Sequence, residues 1–339
     1  MFFNNTLNRL AIAASFIFIS LSLIAEPTLE EVVVSARKVD ENLQDVPIAM
    51  SVFTSSDIED AGIQRPEDFI ALTPNVVMAN TVNVGDTLVT IRGLTSTRDA
   101  ESNFAFVVDG VLQTNPNAFN RELLDIAQIE VLKGPQGALY GRNATSGAIL
   151  ITTKAPSEES ESTAVVGMGV NNSTKLQFVN SGKIRENVYT RFSVSTRDTD
   201  GEHTNVFSNS NNVDHFEDTT IRTRFLVDNG DSSWDLRAGV SEASGGTINF
   251  NAVFALPAFQ GFGTPGADQF YKDVNSHQFT YMFNVPPVNE QETADISLKY
   301  TEDMGDGREF SAILAYNHLE EFLLSDGTSG AFGGYFGVP

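Results

Sequence analysis

The stretch Ile129–Pro156 reads IEVLKGPQGALYGRNATSGAILITTKAP, and the rest of the chain is best read outward from it. Two short apolar, strand-like pieces, Ile129–Leu132 and Ala148–Thr152, flank a loop carrying Gly134, Gly137, Gly141 and Gly147. Gly and Pro at that density imply sharp reversals and close backbone approach, which β-branched residues do not supply. By composition alone this is equally an ordinary Gly-rich turn between two strands. It is not built as a phosphate cradle. No Gly-Lys-Ser/Thr follows the glycines, and no G-x-G-x-x-G opens a helix after a strand.

As a string, Ile129–Ile149 together with the closing Thr152–Pro156 resembles the C-terminal half of the plug domain of TonB-dependent outer-membrane receptors. The match is long, free of gaps and specific in its Gly and Pro placements. Ile91-Arg92-Gly93 and Phe106–Val111 match further landmarks of the same domain. Residues 46–156 are therefore expected to form one α+β plug domain. Within it, Pro47–Phe53 reads as a strand, and Ser55-Ser56-Asp57 offers N-caps for a short helix ending near Gly62. Pro66–Leu72 reads as a second helix stopped by Thr73-Pro74. Val76–Ala79 and Leu88–Ile91 are strand candidates, and Asp109-Gly110 between apolar runs is a hairpin turn.

Toward the N-terminus, Met1–Ala25 has the layout of a secretory signal peptide: Arg9, an uncharged apolar run Leu10–Ile24, and Ala25 as the last residue before cleavage. An uncleaved anchor is the alternative, although the run is short for a spanning helix. Residues 26–45 then hold Glu30, Glu31, Val32, Val33, Val34, Ser35 and Ala36, followed by a polar linker from Asp40. Three consecutive valines favour an extended strand, either the first strand of the domain or an edge for another protein's sheet. In position and wording the segment is similar to the TonB box, the handle that the inner-membrane partner grasps in this family.

After Thr163 the texture changes to segments of about ten residues alternating apolar and polar. Val188, Phe192 and Val194 oppose Arg191, Ser193 and Ser195; Trp234, Leu236, Ala238 and Val240 oppose Asp235, Arg237 and Ser241. Ile221, Phe225 and Val227 likewise oppose Arg222 and Arg224. Seven strands are expected, at 162–170, 174–181, 188–199, 218–227, 233–243, 292–301 and 309–320. A half-buried soluble sheet alternates too, so the connections discriminate better. Gly182–Asn187, Asp228–Ser232 and Glu302–Arg308 are short, whereas Asp200–Asp218 and Ser244–Gln291 are long. From the second connection onward short and long alternate, only the first outer turn, Asn171–Ser173, being brief, which is the mark of an antiparallel transmembrane β-barrel with turns at one end and outer loops at the other. Residues 162–339 are thus expected to be the first part of such a barrel. Seven strands cannot enclose a plug, the family closes with roughly 22 strands, and the sequence therefore reads as truncated. The first long loop, with His203, Asp214, His215, Glu217 and Asp218, is a solvated loop or a cation site; the second, rich in Gly, Pro and Phe, packs on itself or touches a ligand.

The totals agree. A net charge of −23 argues against nucleic acid, and the absence of cysteine removes disulfides, thiolate metal sites and Cys nucleophiles. No catalytic grouping and no metal-ligand spacing is present, so neither an enzyme nor a cofactor is expected. The resemblance implies energy-coupled import of a scarce ligand across the outer membrane of a Gram-negative bacterium, most often a ferric siderophore, with haem, cobalamin or an oligosaccharide as alternatives. The partners it implies are TonB at Glu30–Ala36, the inner-membrane proton-driven motor behind it, and outer-membrane lipid. Arg92, Glu130, Arg142 and Lys154 are the candidate charges pairing plug to wall, since paired charges can be broken and remade. A secreted adhesin or binding module, and less so a hydrolase, are the readings from other classes.

Overall fold

The computed structural model describes residues 32–39, 41–80, 85, 87–97, 100–205, 208–210, 213–246 and 288–324. The signal-peptide reading, Glu30 and Glu31, and the middle of the Phe-rich loop lie outside the described residues. The chain divides into two units, one up to Val46 and one from Pro47 onward.

In the first unit, β1 (Val33–Val34) pairs antiparallel with β2 (Glu41–Asn42), Val33 opposite Asn42 and Val34 opposite Glu41. The turn between them is closed by Lys38 N–H donating to the Ser35 carbonyl at 2.8 Å and by an Arg37–Glu41 ion pair at 3.1 Å. A short 3-10 turn, Leu43–Asp45, follows. The expected polar linker thus contains the strand that pairs with the valines.

The second unit begins with the plug. Its chain order is β3 (Met50–Thr54), α1 (Ser55–Asp60), α2 (Pro66–Ala71), β4 (Val76–Asn80), β5 (Thr87–Ile91), β6 (Leu94–Thr95), β7 (Phe104–Val108), β8 (Val111–Gln113), β9 (Ile126–Lys133), α3 (Gly137–Tyr140) and β10 (Gly147–Thr153). The main sheet has the order β3-β9-β10-β7-β8, with β7 and β10 parallel and the other neighbours antiparallel. β4, β5 and β6 form a second small sheet. Helix α1 is capped at both its exposed donors: Asp57 N–H donates to the Thr54 hydroxyl and Thr54 N–H to the Asp57 carboxylate. Proline at the first helical position starts α2. The Asp109-Gly110 turn has φ of 51° and 84°, the left-handed pair that a two-residue hairpin needs.

Two features of the opening stretch explain its glycines. Gly147 faces β9 so closely that an added Cβ would overlap the Leu132 carbonyl oxygen, and Gly134 sits at φ 113°. The loop between them also holds the short helix α3, which the sequence reading had missed. Behind it lies the core, where Phe69, Val89, Ile91, Ile129, Val131 and Ile149 are all fully buried. Phe119 sits edge-on to Phe69, Phe104 and Phe106, with centroids 5.1–6.4 Å apart.

The wall is a seven-stranded antiparallel meander: β11 (Glu161–Met168), β12 (Thr174–Arg185), β13 (Val188–Thr199), β14 (Phe216–Asp228), β15 (Ser232–Gly245), β16 (Val288–Asp303) and β17 (Glu309–Leu324). All seven expected strands are present, and most run further than expected. β12 continues through Gly182 to Arg185 with a bulge at Lys183/Arg185, leaving Glu186 and Asn187 (φ 59°) as the turn. Both long connections are likewise shorter than they read, because Phe216–Asp218, Ser244–Gly245 and Val288–Gln291 belong to strands. Hydrogen bonding outlasts strict alternation at strand ends, so periodicity understates their length. Among the described residues, β11 and β17 are not paired with each other, and the sheet is open.

The wall's apolar face is turned outward. Trp234 is 46% exposed and Val240 53%, whereas Ser193, Ser195, Thr220 and Asp235 on the opposite face are nearly inaccessible. A water-soluble sheet would reverse this. No helix among the described residues is long and apolar enough to cross a membrane.

Candidate functional site: the charged seam between plug and wall

The polar face of the wall meets the plug along a seam of ion pairs and hydrogen bonds to main-chain carbonyls. Period-two alternation places Arg191 and Ser193 of β13, Arg222 and Arg224 of β14, Arg237 of β15 and Asp295 of β16 on this face. On the plug side, the residues come from the β7–β8 hairpin, the segment 115–125 and the end of β10.

Asp125 is the most heavily engaged carboxylate. Held at φ 58°, it accepts from Arg191 Nε and, at 2.7 Å, from both Arg191 Nη2 and the Ser193 hydroxyl. That is a bidentate fork between side chains that are each only 8% exposed. Arg191 also reaches the Ala155 carbonyl at 3.3 Å and Glu161 on β11. Arg222 donates to the Leu124 carbonyl at 2.8 Å, and Arg224 to the carbonyls of Thr153 and Lys154 at 3.2 and 3.1 Å. Asp235, held by both Arg224 and Arg237, anchors that pair on the wall. Arg237 extends to the Asp109 carbonyl at 3.0 Å and lies 3.6 Å from its carboxylate. Asp109 is itself tied to Thr153, whose N–H and hydroxyl donate to it at 2.9 and 2.8 Å.

Nearer the long-loop end, Arg121 pairs with Asp295 at 2.8 Å and the buried Glu122 with Lys175 at 3.1 Å. Gln291 donates to the Asn117 carbonyl at 3.1 Å, and Asn317 to Gln113 at 2.6 Å. Chemically the seam holds two bodies together by bonds that water can replace one at a time. A shared apolar core has no such exchange. Among the described residues no group of three or more His, Asp or Glu is placed to hold a metal ion. In the loop after β13, Asp214 accepts from the N–H groups of Glu202 and His203 at 2.9 Å, which is a loop-closing role.

The four charges picked from sequence lie elsewhere. Lys154 directs its ammonium to Glu59 of α1 at 2.9 Å, and Arg142 pairs with Glu101 at 3.3 Å between exposed side chains. Both pairs are internal to the plug. Arg92 occupies the β5–β6 turn at φ 50°, its guanidinium over Gly134. Glu130 is buried in β9, where Gln128 donates to it at 3.2 Å. Beside it burial, seconded by the Glu130 carboxylate, pushes the Tyr140 phenol up to about 12. Of the box residues, Val32–Ala36 are described, and Val33–Val34 are paired with β2. The crossing residues Asp109, Arg121, Glu122 and Asp125 were missed. The available signal was on the wall: arginines on faces otherwise made of Ser and Thr need counter-charges.

Comparison with known proteins agrees with this architecture. Residues 42–148 match the family model of the TonB-dependent receptor plug domain. The pesticin receptor of Yersinia enterocolitica is 24% identical over 213 residues, covering 62% of this chain and 31% of that protein. A vitamin B12 transporter of Vibrio vulnificus is 31% identical over 172 residues, 47% of this chain and 27% of its own. Among solved structures, the ferric yersiniabactin uptake receptor of Yersinia pestis superposes with a TM-score of 0.70 at 19% identity, covering 83% of this chain and 42% of that one. The ferripyoverdine receptor of the Pseudomonas aeruginosa outer membrane gives 0.67 at 18%, over 86% and 37%. The chain thus spans about a third of the curated relatives it matches. In its plug domain, and in the fold of the strands that follow, it resembles the TonB-dependent receptors.

Proposed function

We propose that this chain is the plug and opening wall of an importer that carries a scarce ligand, a ferric siderophore above all, across the outer membrane. The observation that carries the reading is the seam: a folded plug is held to the polar face of an outward-apolar wall by exchangeable ion pairs. Such a stopper can rearrange without exposing a hydrophobic core to water. The outer membrane has no nucleotide supply, so work has to arrive mechanically. Glu30–Ala36 is the handle in this scheme, an extended Val-rich strand to which a TonB-type partner adds a strand of its own. The inner-membrane proton gradient would drive the pull.

The siderophore assignment is supported by the siderophore receptors among the structural neighbours. Cobalamin is the second reading, favoured by the vitamin B12 transporter among the relatives. Growth separates them. A strain lacking the gene is expected to lose growth on one ferric siderophore as sole iron source and to regain it with the intact gene. Restored growth must fail when Glu30–Ala36 is deleted. Loss of cobalamin-dependent growth instead, with iron supply unaffected, would overturn the siderophore reading.

A further inference from the structure

Five guanidiniums, those of Arg121, Arg191, Arg222, Arg224 and Arg237, line a cavity of about 90 Å³ between plug and wall. Three carboxylates share its lining, Asp109, Asp125 and Asp295. Glu161 and Asp235 reach the same arginines from beyond it. The charges balance in number and not in distribution. Arg191 takes both Asp125 and Glu161, and Arg121 takes Asp295. Arg224 and Arg237 share Asp235, with Asp109 a further 3.6 Å from Arg237. Among the described residues, Arg222 has no carboxylate within ion-pair distance. Its one hydrogen bond runs from Nη1 to the Leu124 carbonyl at 2.8 Å.

The residues beside Arg222 keep that position open. Its register partners are Ser193 on β13 and Gly239 on β15. The Ser193 hydroxyl is committed to Asp125 at 2.7 Å, and Gly239 has no side chain to offer. A Cβ on Gly239 would come within 3.3 Å of Arg222 Cγ, so the glycine makes room for the arginine stem. A guanidinium carries five N–H donors, and four of those on Arg222 have no protein acceptor among the described residues. Arg237 Nε, on the same cavity, is buried and also lacks an acceptor. β14 is the middle strand of seven, with three on each side, so both wall strands next to Arg222 are in place.

We propose that this cavity is a binding site for one small monovalent inorganic anion, chloride in a saline medium, held by Arg222 and the guanidiniums around it. A charge withdrawn from bulk water without a counter-charge is costly. Water alone would occupy the idle donors and leave that charge uncompensated. An anion at Arg222 does both, through charge-assisted hydrogen bonds. A cavity of this size admits such an ion with a few waters and is far smaller than the pocket of a drug-sized ligand. The anion is therefore a resident of the seam, and the site is independent of what the protein carries.

The probe is chloride itself. Its NMR linewidth is followed with the whole protein, purified in detergent, while chloride replaces gluconate at constant ionic strength. The unaltered protein is expected to give an excess broadening that saturates and that bromide competes away. Arg222→Met removes the charge while keeping an unbranched stem, and is expected to lose the saturating part. Should that variant fail to assemble, judged by loss of the heat-modifiable folded band, Gly239→Asp carries the same expectation. It places a carboxylate beside Arg222, where the anion would otherwise sit. In crystals of the unaltered protein soaked in bromide, an anomalous peak is expected against the Arg222 guanidinium. Broadening that only rises in proportion to chloride would mean that the cavity holds water alone, and would overturn the proposal. Saturation that survives in an assembled variant, or bromide peaks only at other places, would overturn it as well.

Discussion

Plug and wall are both β-rich, both alternate, and place their apolar residues in opposite directions. In the plug, Ile129 and Val131 of β9 are completely buried among Phe69, Val89 and Ile149. In the wall, Phe192 and Trp234 are 39% and 46% exposed, and Arg191 and Asp235 are the buried residues. The plug folds by withdrawing apolar surface from water. The wall turns its apolar face outward, as a sheet facing lipid does, and satisfies its backbone strand to strand. Alternation therefore reports that a strand has two environments. It does not report which of them is wet.

The same substitution made in each region should break this symmetry most visibly. Phe69→Ala removes a fully buried ring that touches Phe53 and Phe119, and is expected to destabilise the plug by about 3–5 kcal/mol. Phe192→Ala, on the outward face of β13, is expected to leave assembly of the folded protein intact. Urea unfolding of the two variants in parallel reads the contrast. Equal losses would mean that the outward face of the wall is packed against protein.

A charge sharpens the comparison from the other side. Leu236 lies on the exposed face of β15, next to Asp235 and Arg237, which point the opposite way into the seam. Leu236→Arg is expected to cost about 2–4 kcal/mol in a bilayer, as an arginine does near the midplane of a barrel's lipid face. The measurement is the folded fraction in lipid vesicles. An unchanged fraction would place that face in water.

These contrasts also mark what the sequence disclosed. The plug strands other than β6, helices α1 and α2, the Asp109-Gly110 hairpin and all seven wall strands are legible because each depends on local pattern: alternation, caps and turn chemistry. The seam was not, because it depends on which distant residues meet. Asp125 pairs with Arg191, 66 positions further on, and nothing near Asp125 distinguishes it from a solvated loop carboxylate. Lys154 and Arg142 were attractive for lying in the motif, yet Glu59 and Glu101 satisfy them inside the plug. Motif membership identified the domain and said little about where each charge points.

A smaller effect belongs to the plug alone. Hydrogen bonds from the Thr54 hydroxyl and N–H hold the Asp57 carboxyl below its usual range. A folded pKa below the unfolded one contributes stability above the unfolded value, and that contribution fades as pH falls through the folded one. Asp57→Ala is expected to cost about 0.5 kcal/mol at neutral pH, because the bond it removes, from the Thr54 N–H to the third residue of the helix, is exposed to water. The loss should shrink on acidification below about pH 4, where the wild-type carboxylate begins to be protonated. Denaturation midpoints of both proteins across that range measure it. A pH-independent difference would assign the cost to helix propensity instead.

The smallest effect is silent at neutral pH. Tyr140 closes α3 in the Gly-rich loop, and burial, with Glu130 as the second cause, raises its phenol to about 12. A group with a raised folded pKa favours the fold below its unfolded value, near 10, and gives up that contribution as pH rises toward the folded one. An alkaline titration of phenolate absorbance should therefore contain a late component that Tyr140→Phe removes. Glu130→Gln should draw that component only part of the way back, because desolvation is the larger cause. Were Glu130→Gln to restore an ordinary value, charge repulsion would outweigh burial, and the α3 loop would be wetter than its packing indicates.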